Sequence, residues 1–256
     1  MLLPHQLHIW CVEHTKIDDS KLLEQYHACL DHEEKKKQAR FRFAEHRHQY
    51  LISRALVRTV LSLYAGDVSP EKWRFNSNKY GRPFIANPGY QHIKFNLSHT
   101  KGLMTLSVVL HHDTGIDVEW VRYENNVLGL ANRYFSPKEY QVLRALPERV
   151  QKKHFFDLWT LKEAYIKACG MGLSIPLNHF NFTFDDENKI DITFHSDRKD
   201  YPHLWQFWQL RYSNTHQIAV ALKTNSVCKP YDLTIRSSIP LLQFEALDCE
   251  IFRRSF

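Results

Sequence analysis

Apolar residues along the 256-residue chain change their spacing several times, and the changes mark out elements. Over 7–12, Leu7, Ile9 and Cys11 alternate with His8, Trp10 and Val12, a period of two that predicts a short strand. Residues 18–30 shift to helical spacing, with Asp18 placed to cap the start. Ile52, Leu56, Val60 and Leu63 then recur every three or four positions. That stripe predicts a long helix that buries one face and turns Arg47, Arg54 and Arg58 elsewhere.

A connector holding Gly66 and Pro70 leads to Asn78-Lys79-Tyr80-Gly81-Arg82-Pro83, which reads as a tight turn. The apolar, β-branched run 103–110 and the alternating stretch 115–120 together predict a hairpin. In the second of these, Asp117 and Glu119 alternate with Ile116, Val118 and Trp120, so both carboxylates fall on one face. Residues 132–146 predict a helix that starts at Ser136-Pro137-Lys138-Glu139, with Ser as N-cap, Pro at N1 and Glu at N3. Another helix begins near residue 150 and stops at Gly170 and Gly172. Phe180, Phe182 and Phe184 alternate as a core strand, 190–195 follows, and 204–212 with 216–223 form a closing hairpin. Residues 224–256 suggest no role.

Within the helix that ends at Gly170, Trp159, Glu163 and Lys167 stand four residues apart and share a face. A carboxylate and an ammonium therefore project together, and the Asp117/Glu119 strand offers two more acids. Magnesium takes oxygen ligands and is commonly held by one or two carboxylates plus substrate phosphates. Asp117, Glu119 and Glu163 could form such a seat, with Lys167 beside it to meet a phosphate. By spacing alone, the commoner reading is a solvated ion pair and the wet face of a strand.

Composition narrows the classes. At 43% hydrophobic, the chain can bury a full core. Lys plus Arg number 34 against 28 Asp plus Glu, a formal net charge of +6 that favours phosphate-bearing ligands or acidic proteins. Cys11, Cys29, Cys169, Cys228 and Cys249 show no C-x-x-C spacing and are odd in number, which argues against a disulfide framework or a zinc site and fits a reducing compartment. Residues 1–10 lack the features of a secretory signal, and no stretch approaches a membrane span. The 16 histidines form no metal-ligand pattern.

The two charged stretches are more specific as a pair. Gly115-Ile116-Asp117-Val118-Glu119, followed by Trp159-x-x-Lys162-Glu163-x-x-x-Lys167, resembles the signature of the surfactin-synthetase-type 4′-phosphopantetheinyl transferases. In family order stand also residues 41–58, Tyr80-Gly81-Arg82-Pro83, Phe95-Asn96-Leu97-Ser98-His99 and Phe135-Ser136 with Glu139-Tyr140. The similarity runs from about residue 35 to about 177 and more weakly to about 222.

That resemblance implies an α+β fold of two similarly folded halves related by a pseudo-two-fold axis, with coenzyme A in the cleft between them. The halves would be 1–111, carrying the basic phosphate-binding side, and 112–223, carrying the magnesium and catalytic side, with 224–256 as an extension. It further implies Mg2+-dependent transfer of 4′-phosphopantetheine from coenzyme A to a serine of an apo acyl or peptidyl carrier protein, releasing 3′,5′-ADP. Asp117, Glu119 and Glu163 would hold the metal, and Glu163 and Lys167 would act in catalysis. Lys37, Arg40, Arg82, Ser98, His99, Lys162 and Lys167 would bind the coenzyme, Lys37 and Arg40 at its 3′-phosphate. Trp159 would pack the helix against the sheet. Arg82 stands where relatives usually carry Lys, a swap that keeps the contact to the nucleotide end while changing its geometry; Glu34 and Tyr50 stand where relatives carry Lys and Thr, so the 3′-phosphate contacts are expected to be rearranged. A cytoplasmic monomer that binds neither nucleic acid nor membrane completes the expectation.

Other readings are weaker. A Mg2+-dependent nuclease of the D…E-x-K type wants a Lys where Val121 stands, and a basic nucleic-acid-binding module built on residues 35–58 leaves the acids unexplained. The adjacent Ser98 and His99 suggest a hydrolase, but no G-x-S-x-G elbow surrounds Ser98.

Overall fold

The structure is a computed structural model that describes residues 4–121, 126–185, 189–227 and 229–256; Cys228 lies outside them. The first part of the chain forms β1 (Gln6–Val12), α1 (Ser20–Cys29), α2 (His32–Arg40), α3 (Ala44–Tyr64), β2 (Phe75–Ser77), β3 (Pro83–Ile85), β4 (Ile93–Thr100) and β5 (Leu103–Leu110). The second forms β6 (Asp113–Trp120), α4 (Val127–Tyr134), α5 (Pro137–Ala145), α6 (Glu148–Cys169), β7 (Phe180–Phe184), β8 (Ile190–Phe194), β9 (Trp205–Arg211) and β10 (His216–Lys223). The last residues supply β11 (Asp232–Ile239), β12 (Gln243–Ala246) and β13 (Glu250–Arg254).

Period-two alternation builds the layers. Leu7, Ile9 and Cys11 of β1 join Ile116, Val118, Ile218 and Val220 in a core between two sheets, while Trp10 and Val12 face the opposite way, onto the Ile52, Leu56 and Val60 stripe of α3. On the outer side of the other sheet, Phe207, Ala219 and Ala221 pack under Leu161, Ala164 and Ala168 of α6. The result is a helix, sheet, sheet, helix stack in the α+β class. One sheet runs β12-β11-β1-β5-β4 and the other β13-β9-β10-β6. The last three strands therefore extend both sheets, with β11 parallel to β1 and β13 antiparallel to β9.

Several expectations need correction. Strands β5 and β6 do not form a hairpin: β5 pairs with β1 and β4, whereas β6 pairs with β10, and the chain changes sheet at His111, which holds a φ of 66°. The 132–146 pattern is two helices, because the chain turns extended at Phe135 and restarts behind the Ser136 cap. Asp19, not Asp18, caps α1. Leu63 lies exposed outside the α3 stripe.

Nor is the basic face of α3 simply solvated. Arg58 is fully buried, with Nε donating to Glu34 Oε2 at 2.9 Å and Nη1 to the carbonyls of Pro70 and Trp73. Arg54 pairs with Glu34 as well. Glu34 thus ties α2 to α3 through two guanidinium groups, which satisfy charges that burial would otherwise make costly.

Candidate functional site

Strand β6 lies against α6 at a separation only glycine permits. A Cβ built on Gly115 would stand 2.0 Å from the carbonyl oxygen of Ala164 and 2.4 Å from the amide of Ala168. This backbone contact sets the two charged motifs face to face. On the other side of β6, Asn96 and Ser98 of β4 replace a backbone ladder: Ile116 N donates to Asn96 Oδ1 at 2.9 Å and Val118 N to Ser98 Oγ at 3.4 Å.

Three side chains close the floor of the site. Lys167 Nζ lies 2.6 Å from Asp117 Oδ1 and 2.9 Å from Ser98 Oγ, and Ser98 Oγ donates to the same Asp117 oxygen at 2.9 Å. Asp117 is buried, and its Oδ2 accepts no hydrogen bond. Glu119 accepts from Trp159 Nε1 at 3.2 Å, so that tryptophan orients an acid as well as packing on Phe155.

Desolvation, then the Asp117 charge, push Glu119 and Glu163 up to about 7, with Lys167 opposing the shift in both. Two carboxylates raised by burial and by the Asp117 charge, beside that third carboxylate with its buried oxygen unmet, suit a hard divalent cation. The donor set therefore fits magnesium by charge and ligand type. Among the described residues no three His, Cys, Asp or Glu side chains are gathered into a group that could hold an ion as they stand.

The other residues singled out in the sequence fall in different places. Lys162 does not face the site: it is fully buried, 2.9 Å from Glu139 Oε2, and donates to the carbonyls of Leu177 and Phe180 at 2.7 and 2.8 Å. It joins α6 to α5 and β7 and has no exposed atom to offer a coenzyme, which corrects the expectation from the motif. Arg82 spends its guanidinium on protein groups, with Nη1 donating to Ala168 O at 2.7 Å and lying 3.1 Å from Asp113 Oδ1, and Nη2 donating to Thr114 O at 3.2 Å. Lys37 and Arg40 are exposed in the last turn of α2, and Lys37 Nζ sits 5.5 Å from the centre of the Tyr50 ring. His99 is exposed beside Ser98, with its pKa lowered by partial desolvation and then by the Lys167 charge.

Comparison with known proteins identifies the family. Residues 113–221 match the 4′-phosphopantetheinyl transferase superfamily and residues 18–110 match the 4′-phosphopantetheinyl transferase N-terminal family. The chain is 34% identical to the 4′-phosphopantetheinyl transferase HetI of Nostoc sp. over 68% of its own length and 72% of that protein. The chain belongs to the 4′-phosphopantetheinyl transferase superfamily.

The Bacillus subtilis transferase Sfp is likewise 34% identical to this transferase, over 66% of the chain and 73% of Sfp. Among solved structures, the Helicobacter pylori holo-[acyl-carrier-protein] synthase in complex with coenzyme A is 21% identical, with a TM-score of 0.35, and covers 43% of the chain and 99% of that protein. Three residues lay inside stretches that sequence reasoning singled out but received no such role there: Asn96, which stitches β4 to β6, Glu139, which pairs with Lys162, and Asn78, which reaches Gly170 O at 2.7 Å. Glu139 was read as the third residue of a capping box, and that signal accounts for its bonds to Ser136 but not for its ion pair.

Proposed function

We propose that this transferase moves the 4′-phosphopantetheine arm of coenzyme A onto a serine of an apo carrier protein, with Mg2+ required and 3′,5′-ADP released. The observation that carries the reading is the buried, unmet Asp117 Oδ2 beside two carboxylates raised to about 7 and the Lys167 ammonium. Asp117, Glu119 and Glu163 would hold the ion, which when bound supplies charge neutralisation on the coenzyme's pyrophosphate.

The chain's own residues do the rest. The serine oxygen forms a bond to the phosphorus that bears the pantetheine arm, and the bond from that phosphorus to the oxygen of 3′,5′-ADP breaks. Glu163 takes the hydroxyl proton, directly or through water. Lys167, held at the Asp117 and Ser98 oxygens, would stabilise the departing phosphate. Ser98 and His99 would contact the pyrophosphate, and the exposed Lys37 and Arg40 the 3′-phosphate.

Among the described residues no helix is long and apolar enough to cross a membrane, and Cys11, Cys29, Cys169 and Cys249 are free thiols. A reducing cytoplasm suits such thiols. The test is a panel of apo carrier proteins incubated with the purified chain, Mg2+ and coenzyme A, read by intact mass. One carrier or more should gain a single phosphopantetheine arm. An unmodified panel, with a control transferase active on the same carriers, would count against the reading.

A further inference from the structure

One contact between the two halves bears on the catalytic helix without touching the acids. The turn between β2 and β3 leans on the C-terminal end of α6 and the start of β6, the elements that carry Lys167 and Asp117. Asn78 is its pivot. Its Oδ1 accepts from the backbone amides of Tyr80 and Arg82 at 2.9 and 3.0 Å, while its Nδ2 donates to Gly170 O at 2.7 Å. Two amide donors on one side and a carbonyl on the other leave a single consistent orientation for the side-chain amide.

The fit at this contact is tight. Gly170 caps α6 with a φ of 67°, and a Cβ there would stand 2.8 Å from Arg82 Cδ and 3.3 Å from Asn78 Nδ2. The Gly170 amide donates in turn to the carbonyl of Lys167 at 3.0 Å, and Arg82 Nη1 takes the carbonyl of Ala168. Carbonyls at a helix C-terminus lack partners within the helix. Here the turn supplies them from the other half of the molecule, one turn beyond the ammonium that contacts Asp117.

We infer that Asn78 is a positioning residue for the transfer reaction: through Gly170 it fixes the last turn of α6, and with it Lys167, relative to Asp117. The inference rests on the transfer activity proposed above. Asn78 itself touches neither the acids nor a reacting atom. Its effect belongs to kcat, because a small displacement of a group that acts on the transition state costs rate.

The decisive variant is Asn78→Asp, which keeps an acceptor for Tyr80 N and Arg82 N but loses the donor to Gly170 O. Kinetics with coenzyme A and an apo carrier that the wild type modifies should show kcat reduced about tenfold with KM for coenzyme A within about twofold of wild type. Hydrogen exchange, which needs no activity, should show faster exchange of the amides of 165–170 and unchanged exchange in α3. Asn78→Ala, which also unties the turn, should reduce kcat at least as far. Wild-type kcat in Asn78→Asp would overturn the assignment. So would a fall in kcat with α6 exchange unchanged, or exchange accelerated uniformly through the protein. A wild-type protein that loads no carrier would instead defeat the transfer reading, while the exchange measurement would still decide whether Asn78 holds the helix.

Discussion

Lys167 Nζ lies 2.6 Å from Asp117 Oδ1, a contact that joins the last turn of α6 to the middle of β6 across the Gly115 backbone approach. Its ammonium is partly exposed while the carboxylate is buried, so one end of the pair remains open to a ligand. Replacing Lys167 by Gln keeps a donor for Asp117 but removes the charge. Carrier loading should fall by about 10²-fold or more in kcat, with the folded structure retained by circular dichroism. A loss confined to KM for coenzyme A would place Lys167 in ground-state binding alone.

The raised carboxylates make stability depend on pH in a stated direction. Glu119 and Glu163 ionise near 7 in the folded chain and near 4.5 when unfolded, so the folded state retains protons that the unfolded state has released. Their contribution is fully present below about 4.5 and is lost as pH rises through about 7. A divalent cation that takes their place as counter-charge competes with those protons. Thermal unfolding should therefore show Mg2+ raising Tm more at pH 8 than at pH 5.5. Equal protection at both values would separate the metal from these two acids.

Lys162 is predicted to behave as a structural residue. Removing one partner of a buried ion pair strands the other, at a cost of about 3–5 kcal/mol, and Lys162→Met leaves Glu139 in that position. Denaturant unfolding should show a loss of that order, while KM for coenzyme A, measured where the variant is still folded, stays near wild type. A raised KM with stability unchanged would return Lys162 to the coenzyme site.

These cases show what local pattern could and could not reveal. Asp117 with Glu119, and Glu163 with Lys167, were legible because period two and period 3.6 are properties of a few consecutive residues. The burial of Lys162 was legible by the same rule: successive helical residues turn by about 100°, so Lys162 falls in line with Leu158 and Ile166, both buried. Reading the signature as a block of letters set that geometry aside. The pairing of β6 with β10 was not legible, because strand partners are chosen by contacts across about a hundred residues of chain, and 115–120 alternates equally well in either sheet. The strands of the last residues were hidden for a related reason. β11 is only partly buried and pairs with β1 at the far end of the chain, so its alternation is weak even though Pro230 and Pro240 bracket it.

Coenzyme A binding measured by calorimetry, with Mg2+ and with chelator, on the wild type and on Asp117→Asn tests the centre of the account. The wild type should bind coenzyme A at least about tenfold more tightly with Mg2+, and Asp117→Asn should retain only the metal-independent affinity. A full Mg2+-dependent gain in Asp117→Asn, or none in the wild type, would contradict the claim that these carboxylates seat the ion that grips the coenzyme.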